Sequence, residues 1–178
     1  LIFVACTEGD SDVIIATRQG QAARFAESRV RVMGRTAGGV IGVRLSGDDY
    51  VVGAAVLYRD DAWNDAHKLM TITENGFGKR MDPRVFEPKG RAIMGVTCHN
   101  LSEKTGDLTG IAVVTDTDDV MMITSSGTVI RTPVSGIPAY GRTAGGVIVM
   151  RLSEGDKICN FALAAQKEDE EEIPEGEE

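Results

Sequence analysis

Apolar positions along the chain fall in short runs rich in Val and Ile, broken by polar turns that carry glycine. Val13-Ile14-Ile15-Ala16-Thr17 leads into Arg18-Gln19-Gly20. Leu69-Met70-Thr71-Ile72-Thr73 leads into Glu74-Asn75-Gly76, and Val120-Met121-Met122-Ile123-Thr124 into Ser125-Ser126-Gly127. Runs this short and this β-branched predict strands rather than helices, and the glycine supplies the positive φ of a hairpin turn. A second strand follows each turn and carries Arg24, Lys79-Arg80 or Arg131 at its end. After a longer loop comes a third strand, residues 40–45 or 147–152, reversed by a polar turn into a fourth, residues 50–56 or 157–164. The acidic connector 60–67 predicts a single helical turn.

The elements repeat. Gly34-Arg35-Thr36-Ala37-Gly38-Gly39-Val40-Ile41 recurs identically as Gly141-Arg142-Thr143-Ala144-Gly145-Gly146-Val147-Ile148. At that offset of 107, residues 12–57 and 119–164 share 19 identities over 46 positions. Splitting the offset into 56 and 51 reveals a middle copy that aligns Gly20, Gly76 and Gly127, then Arg24, Arg80 and Arg131, then Arg35, Arg91 and Arg142. Four-stranded repeats of roughly 40–55 residues predict propeller-like blades, which cannot bury their faces alone and must stack. The expected architecture is all-β: the end of a preceding blade (1–11), blades over 12–58, 59–114 and 115–165, and an acidic tail over 166–178.

Charge changes the picture once it is divided. The net charge of −8 and the isoelectric point near 4.8 argue against nucleic acid as a partner. Residues 167–178 alone carry −7, however, so residues 1–166 hold 18 basic against 19 acidic groups. The acidic block predicts a solvated tail, and the near-neutral remainder leaves room for basic patches. The apolar runs are far shorter than the ~20 residues of a membrane span, which excludes a membrane-spanning role for these segments. Three scattered cysteines, Cys6, Cys98 and Cys159, suit a reduced, cytoplasmic setting as small apolar fillers.

No catalytic constellation recurs. His67 and His99 occupy non-equivalent positions, Asp48, Asp49 and Asp156 sit in turns that favour Asp for backbone reasons, and the glycines of 34–39 precede a strand rather than a phosphate-binding helix. No metal or cofactor is expected. The recurrent arginines are the informative feature: Arg24, Arg80 and Arg131 once per blade, Arg35, Arg91 and Arg142 once per blade, and Arg44 and Arg151 in two blades. Arg29, Arg31, Lys79, Arg84 and Lys89 lie between the first two sites. Two readings stand open. An arc of cations can follow a bent DNA backbone through its phosphates, or each guanidinium can pin loop carbonyls.

Several stretches resemble the C-terminal domain of bacterial DNA gyrase A subunits, with the topoisomerase IV A-type subunit as a close relative. They are Arg24-Phe25-Ala26-Glu27-Ser28, Val30-Arg31-Val32-Met33-Gly34, Thr73-Glu74-Asn75-Gly76-Phe77-Gly78-Lys79-Arg80 and the octapeptide 141–148. The resemblance implies a β-pinwheel, in which neighbouring blades exchange a strand, and about three four-stranded blades of a larger disc. It also implies double-stranded DNA wrapped on a basic rim as a part of negative supercoiling, the remaining gyrase A and B subunits as partners, and a place at the nucleoid in the bacterial cytoplasm. The rim residues it points to are Arg24, Arg29, Arg31, Arg35, Lys79, Arg80, Arg84, Lys89, Arg91, Arg131 and Arg142. The family's Gln-Arg-Arg-Gly-Gly-Lys-Gly-like box and its cleavage tyrosine are absent, so neither DNA cleavage nor ATP hydrolysis is expected of this chain. The alternatives are a topoisomerase IV counterpart, a propeller that docks a protein partner, and, more distantly, an enzyme built on a propeller. Two further expectations concern the ends: the acidic tail competes with phosphate for the rim, and the open blade edges make the isolated chain dimerise or hold a strained arc.

Overall fold

A computed structural model describes residues 1–164; the expected tail lies outside the described residues. The hairpin β1 (Ser11–Thr17) and β2 (Gln21–Ala26) is joined by β3 (Val51–Tyr58), and a short helix α1 (Asp61–Ala66) leads to the next repeat. The second repeat holds β4 (Lys68–Thr73), β5 (Phe77–Met81), β6 (Val96–Thr97) and β7 (Leu108–Val114). The third holds β8 (Asp119–Thr124), β9 (Val129–Pro133), β10 (Val147–Ile148) and β11 (Ile158–Ala164). Helix α1 is the predicted turn. Asp60 caps it by accepting a hydrogen bond from the Trp63 amide at 2.7 Å, and His67 stacks on the Trp63 ring.

The three sheets run β3-β1-β2-β6, β10-β5-β4-β7 and β11-β8-β9, all antiparallel. The third strand of each repeat therefore does not join its own blade, as the strand order read from sequence supposes. It crosses to the sheet before: β6 pairs with β2 through Gln21↔Thr97 and Ala22↔Val96, and β10 pairs with β5 through Val147↔Gly78 and Ile148↔Phe77. Residues 40–45, the counterpart in the first repeat, have no earlier sheet among the described residues and form only an isolated bridge, Val43↔Ile93. The last sheet accordingly shows three strands.

Glycine makes the crossing possible. Gly95 and Gly146, equivalent in the repeat, have φ of +88° and +71°, and a Cβ on either would lie 2.5 Å from a carbonyl oxygen of the strand it joins, Ala22 or Gly78. A side chain there is excluded both by conformation and by contact.

The core lies between blades. Ile14, Ala16 and Leu57 of the first meet Leu69, Met81, Phe86 and Leu108 of the second. Met70, Ile72 and Val114 of the second meet Val120, Met122, Ile137 and Ile158 of the third. Each large side chain so buried contributes about 1.5–3 kcal/mol. Strand β4 is thus apolar on both faces, Leu69 pointing to one neighbour and Met70 and Ile72 to the other. Strand β8 buries one face and leaves Met121 and Ile123 exposed.

Candidate nucleic-acid interface

Four of the recurrent arginines pin one repeat to the next, Arg24 with Arg80 in one set and Arg91 with Arg142 in another. Arg24, at the end of β2, is buried. Its Nε donates to Asp12 Oδ2 at 2.8 Å, and its Nη1 reaches forward to the carbonyls of Pro83 (2.9 Å) and Phe86 (3.0 Å) in the next repeat. Arg80 repeats the move: it donates to the carbonyl of Ile137, the counterpart of Phe86, and pairs with Asp116. Arg131 pairs with Asp119 at 2.6 Å. The second set reaches backward. Arg91 donates to the carbonyls of Arg29 (2.8 Å) and Ile41 (2.9 Å), and Arg142 donates to that of Thr97 (3.2 Å), the counterpart of Ile41. Of the two readings left open by the sequence, carbonyl pinning is the geometry adopted by Arg24, Arg80, Arg91 and Arg142. A guanidinium suits this because its five donors serve several carbonyls at once.

Lys79 is not a rim group. Its side chain is fully buried, and its ammonium donates to the carbonyls of Gly141 (2.9 Å), Arg142 (2.7 Å) and Ala144 (2.7 Å), three donors for three acceptors that hold the crossing loop of the third repeat. Burial lowers its pKa to about 8, while the three carbonyls favour the charged form. His99 lies beside it. Burial pulls the ring down to about 4, so it is neutral: Nε2 donates to the Gly145 carbonyl at 3.0 Å and Nδ1 accepts from the Thr71 hydroxyl at 3.0 Å. Burial pushes the neighbouring Cys98 thiol up to about 12. Cys98 is the apolar filler expected, whereas Cys6 and Cys159 are exposed.

Exposed bases remain along the crossing segments. Arg29, Arg31, Arg35, Arg44, Lys89 and Arg151 all face solvent. Arg84 does too, but Asp82 (2.7 Å) and Asp65 (2.8 Å) hold it, and these carboxylates raise its pKa further. A cleft of about 400 Å³ beside β2 and β6 is lined by Arg24, Arg84, Lys89 and Arg142 together with Glu87. The larger pattern is segregation. The three equivalent segments 28–45, 84–101 and 135–152, of which the second and third carry the crossing strands β6 and β10, hold nine basic residues and one acidic one, Glu87. The rest of residues 1–166 holds nine basic and 18 acidic. Arg44 and Arg151, which the sequence shows recurring in two repeats, belong to this set. Asp49 and Asp156, by contrast, accept backbone N–H bonds from Gln19 and Ser126 across their turns, both at 3.0 Å. Among the described residues no group of three His, Cys, Asp or Glu side chains could hold a metal ion, and no helix is long and apolar enough to cross a membrane.

The chain and its fold are similar to known proteins. The DNA gyrase A subunit of Salmonella typhimurium is 39% identical over 97% of this chain, and that of Aminobacterium colombiense is 41% identical over 95%. The chain spans about a fifth of the length of either, 19% and 20%. Among solved structures, the C-terminal domain of DNA topoisomerase IV superposes with a TM-score of 0.79 at 26% identity, covering 88% of this chain and 47% of its own. The E. coli ParC C-terminal domain shares the fold, with a TM-score of 0.67 at 16% identity over 88% of this chain and 63% of its own. The family described as DNA gyrase C-terminal domain, beta-propeller, matches residues 11–57, 67–115 and 118–162, one repeat each, and the chain belongs to that family.

Proposed function

We propose that this chain binds double-stranded DNA along the outer edge of its blades and bends it there, as the non-catalytic wrapping part of a bacterial gyrase A subunit working at the nucleoid with the rest of that subunit and with gyrase B. The observation that carries this reading is the charge segregation: nine bases against one acid on the equivalent segments 28–45, 84–101 and 135–152, in a chain whose remainder is acidic. A phosphate backbone is recognised by such cations without base readout. Only two aromatic residues lie in these segments, Phe86, which is buried, and Tyr140, which is exposed, too few for a single-strand stacking platform.

The division of labour among the bases follows from their partners. Arg29, Arg31, Arg35, Arg44, Lys89 and Arg151 are the phosphate contacts, because their side chains face water. Arg91 and Arg142 shape the edge and add field. Arg24, Arg80 and Lys79 build the blades beneath it. Supercoiling belongs to the whole enzyme; this part supplies the curved track on which a DNA segment lies.

Binding of the 178-residue chain to a DNA fragment should be followed across salt. If six to ten phosphates are contacted, affinity falls by roughly 10³–10⁵ between 50 and 200 mM. Reversing Arg29, Arg31 and Arg35 to Glu should abolish binding while leaving the melting temperature within a few degrees. Binding insensitive to salt, or unaffected by the reversal, would overturn the reading in favour of a protein partner.

A further inference from the structure

We propose that Glu87 is an attenuator built into the basic edge: it holds a phosphate-binding cleft between the first and second blades at reduced affinity. This rests on the DNA reading above and deepens it, naming one contact point and what regulates it. The cleft, about 400 Å³, lies beside β2 and β6 and draws cations from all three repeats: Arg24 from the first, Arg84 and Lys89 from the second, Arg142 from the third. Two of these are already engaged. Arg24 is taken up by Asp12 and by the carbonyls of Pro83 and Phe86, and Arg84 by Asp82 and Asp65. Lys89 has no side-chain partner among the described residues, and Arg142 commits only Nη1, to the Thr97 carbonyl. The cleft floor is apolar, with Ala22 and Phe86 buried, and an apolar wall strengthens the pull of nearby cations on an anion. The anion that an ammonium and a guanidinium together suit is a phosphate group, in a DNA backbone or free. Lys89 supplies the contact, and Arg142 adds field.

Glu87 is the one acid of the three equivalent segments, and it lines this cleft. Nothing in the fold requires an acid there. Its side chain faces solvent and makes no hydrogen bond or ion pair among the described residues, and the equivalent positions in the other repeats hold Arg31 and Pro138. The two other acids at this junction have structural partners. Asp82 accepts from the Arg84 amide at 2.8 Å and caps the short turn Pro83–Val85, and Asp65 holds the Arg84 guanidinium at 2.8 Å. The unpartnered acid also occurs only where the cations do. At the second junction the counterparts of Arg84, Glu87 and Lys89 are Ser135, Pro138 and Tyr140, so the equivalent backbone carries neither charge. A carboxylate lining a cleft that otherwise attracts phosphate opposes the anion by like-charge repulsion, most strongly at low salt. The first junction is therefore a loose point on the DNA path, from which a segment releases more readily than the count of bases implies.

Titration of the 178-residue chain with a double-stranded DNA fragment, across salt, tests this. Glu87→Gln keeps the side chain's shape and removes its charge. It should bind roughly three- to tenfold more tightly at about 50 mM salt and steepen the slope of log affinity against log salt by about 1, with an unchanged melting curve. Adding Lys89→Gln should cancel that gain, because the carboxylate acts on the contact Lys89 makes. Adding Arg151→Gln, outside the cleft, should weaken binding but leave the gain intact. An unchanged affinity in Glu87→Gln, or a gain that survives Lys89→Gln at full size, would overturn the proposal, the second by showing that Glu87 counts only toward net charge. If neither the native chain nor Glu87→Gln binds DNA, the DNA reading itself fails, and inorganic pyrophosphate followed by NMR decides the cleft alone. Shifts at Lys89 and Arg142 that are larger in Glu87→Gln than in the native chain would sustain the attenuated phosphate site; their absence would overturn it.

Discussion

The same eight residues, Gly-Arg-Thr-Ala-Gly-Gly-Val-Ile, occur at 34–41 and at 141–148, and the structure treats them differently. The second copy lies on the middle sheet: its carbonyls are held by Lys79 and His99, its arginine pins Thr97, and its last two residues form β10. The first copy is exposed throughout and, among the described residues, joins no sheet and leaves Val40 and Ile41 outside any strand pair. Local sequence therefore specifies an element able to cross, not a strand. The strand comes into being when a preceding sheet offers an edge, a glycine-sized gap and donors for the loop carbonyls. Intrinsic β-propensity is subordinate to this context.

The most severe way to break the comparison is to fill that gap. Gly146→Ala places a methyl group 2.5 Å from the Gly78 carbonyl oxygen at a φ of +71°, and neither partner is a flexible side chain that could move aside. A loss of about 3 kcal/mol or more is expected in urea unfolding. Gly39→Ala meets nothing within 4 Å and bears only the strain of its φ of +80°, about 1 kcal/mol. Equal losses at the two sites would show that conformation alone, not docking, distinguishes the copies.

The second test uses pH, because the buried polar cluster exists only under the docked copy. The positions equivalent to His99 are Val43 and Met150. His99 has a folded pKa of about 4, against roughly 6.5 unfolded. The unfolded chain takes up this proton first as pH falls, so the contribution is fully present above 6.5 and is lost progressively between 6.5 and 4. At most it amounts to about 3 kcal/mol. Denaturation at pH 7 and at pH 4.5 should show a steep loss in the native protein and a shallower one in His99→Gln, whose amide cannot charge. Parallel pH dependence in the two proteins would remove His99 from the account.

Much of the fold was legible before any coordinates. The three short apolar runs became β1, β4 and β8, the glycine turns after them are hairpins, and residues 60–67 hold the predicted helical turn. The ownership of the third strand was not legible from the residues alone. The runs at 40–45 and 147–152 read identically whether the strand stays or crosses, and the crossing depends on contacts 50 or more residues away. The site was legible as recurrence and obscure as role. Arg24 and Arg142 recur for the same reason that they are pins, since every blade needs its neighbours' carbonyls held. Lys79 looks like one more loop base in the sequence, and only burial reveals that Gly141, Arg142 and Ala144 use up its donors. Exposed bases such as Arg29 and Arg31 do not recur, because water, unlike a carbonyl, imposes no position.

The smallest effects should be the sharpest discriminator, since they separate structure from DNA binding at equivalent arginines. Arg142→Ala removes a hydrogen bond to the Thr97 carbonyl at 3.2 Å beneath the outer edge, so a loss of about 1 kcal/mol in stability is expected. Arg35 projects from the undocked copy, and Arg35→Ala should change stability by less than about 0.5 kcal/mol. On DNA the order reverses. Arg35 has a guanidinium facing water, so if the proposed phosphate contacts hold, its loss should reduce the slope of log affinity against log salt by about 1. Arg142 already spends a donor on Thr97, so its loss should change the slope by less. If Arg35→Ala lowers stability while leaving the salt slope unchanged, the exposed copy is a pin as well, held by a partner blade in solution, and the phosphate contacts must then be sought at Arg29, Arg31 and Lys89.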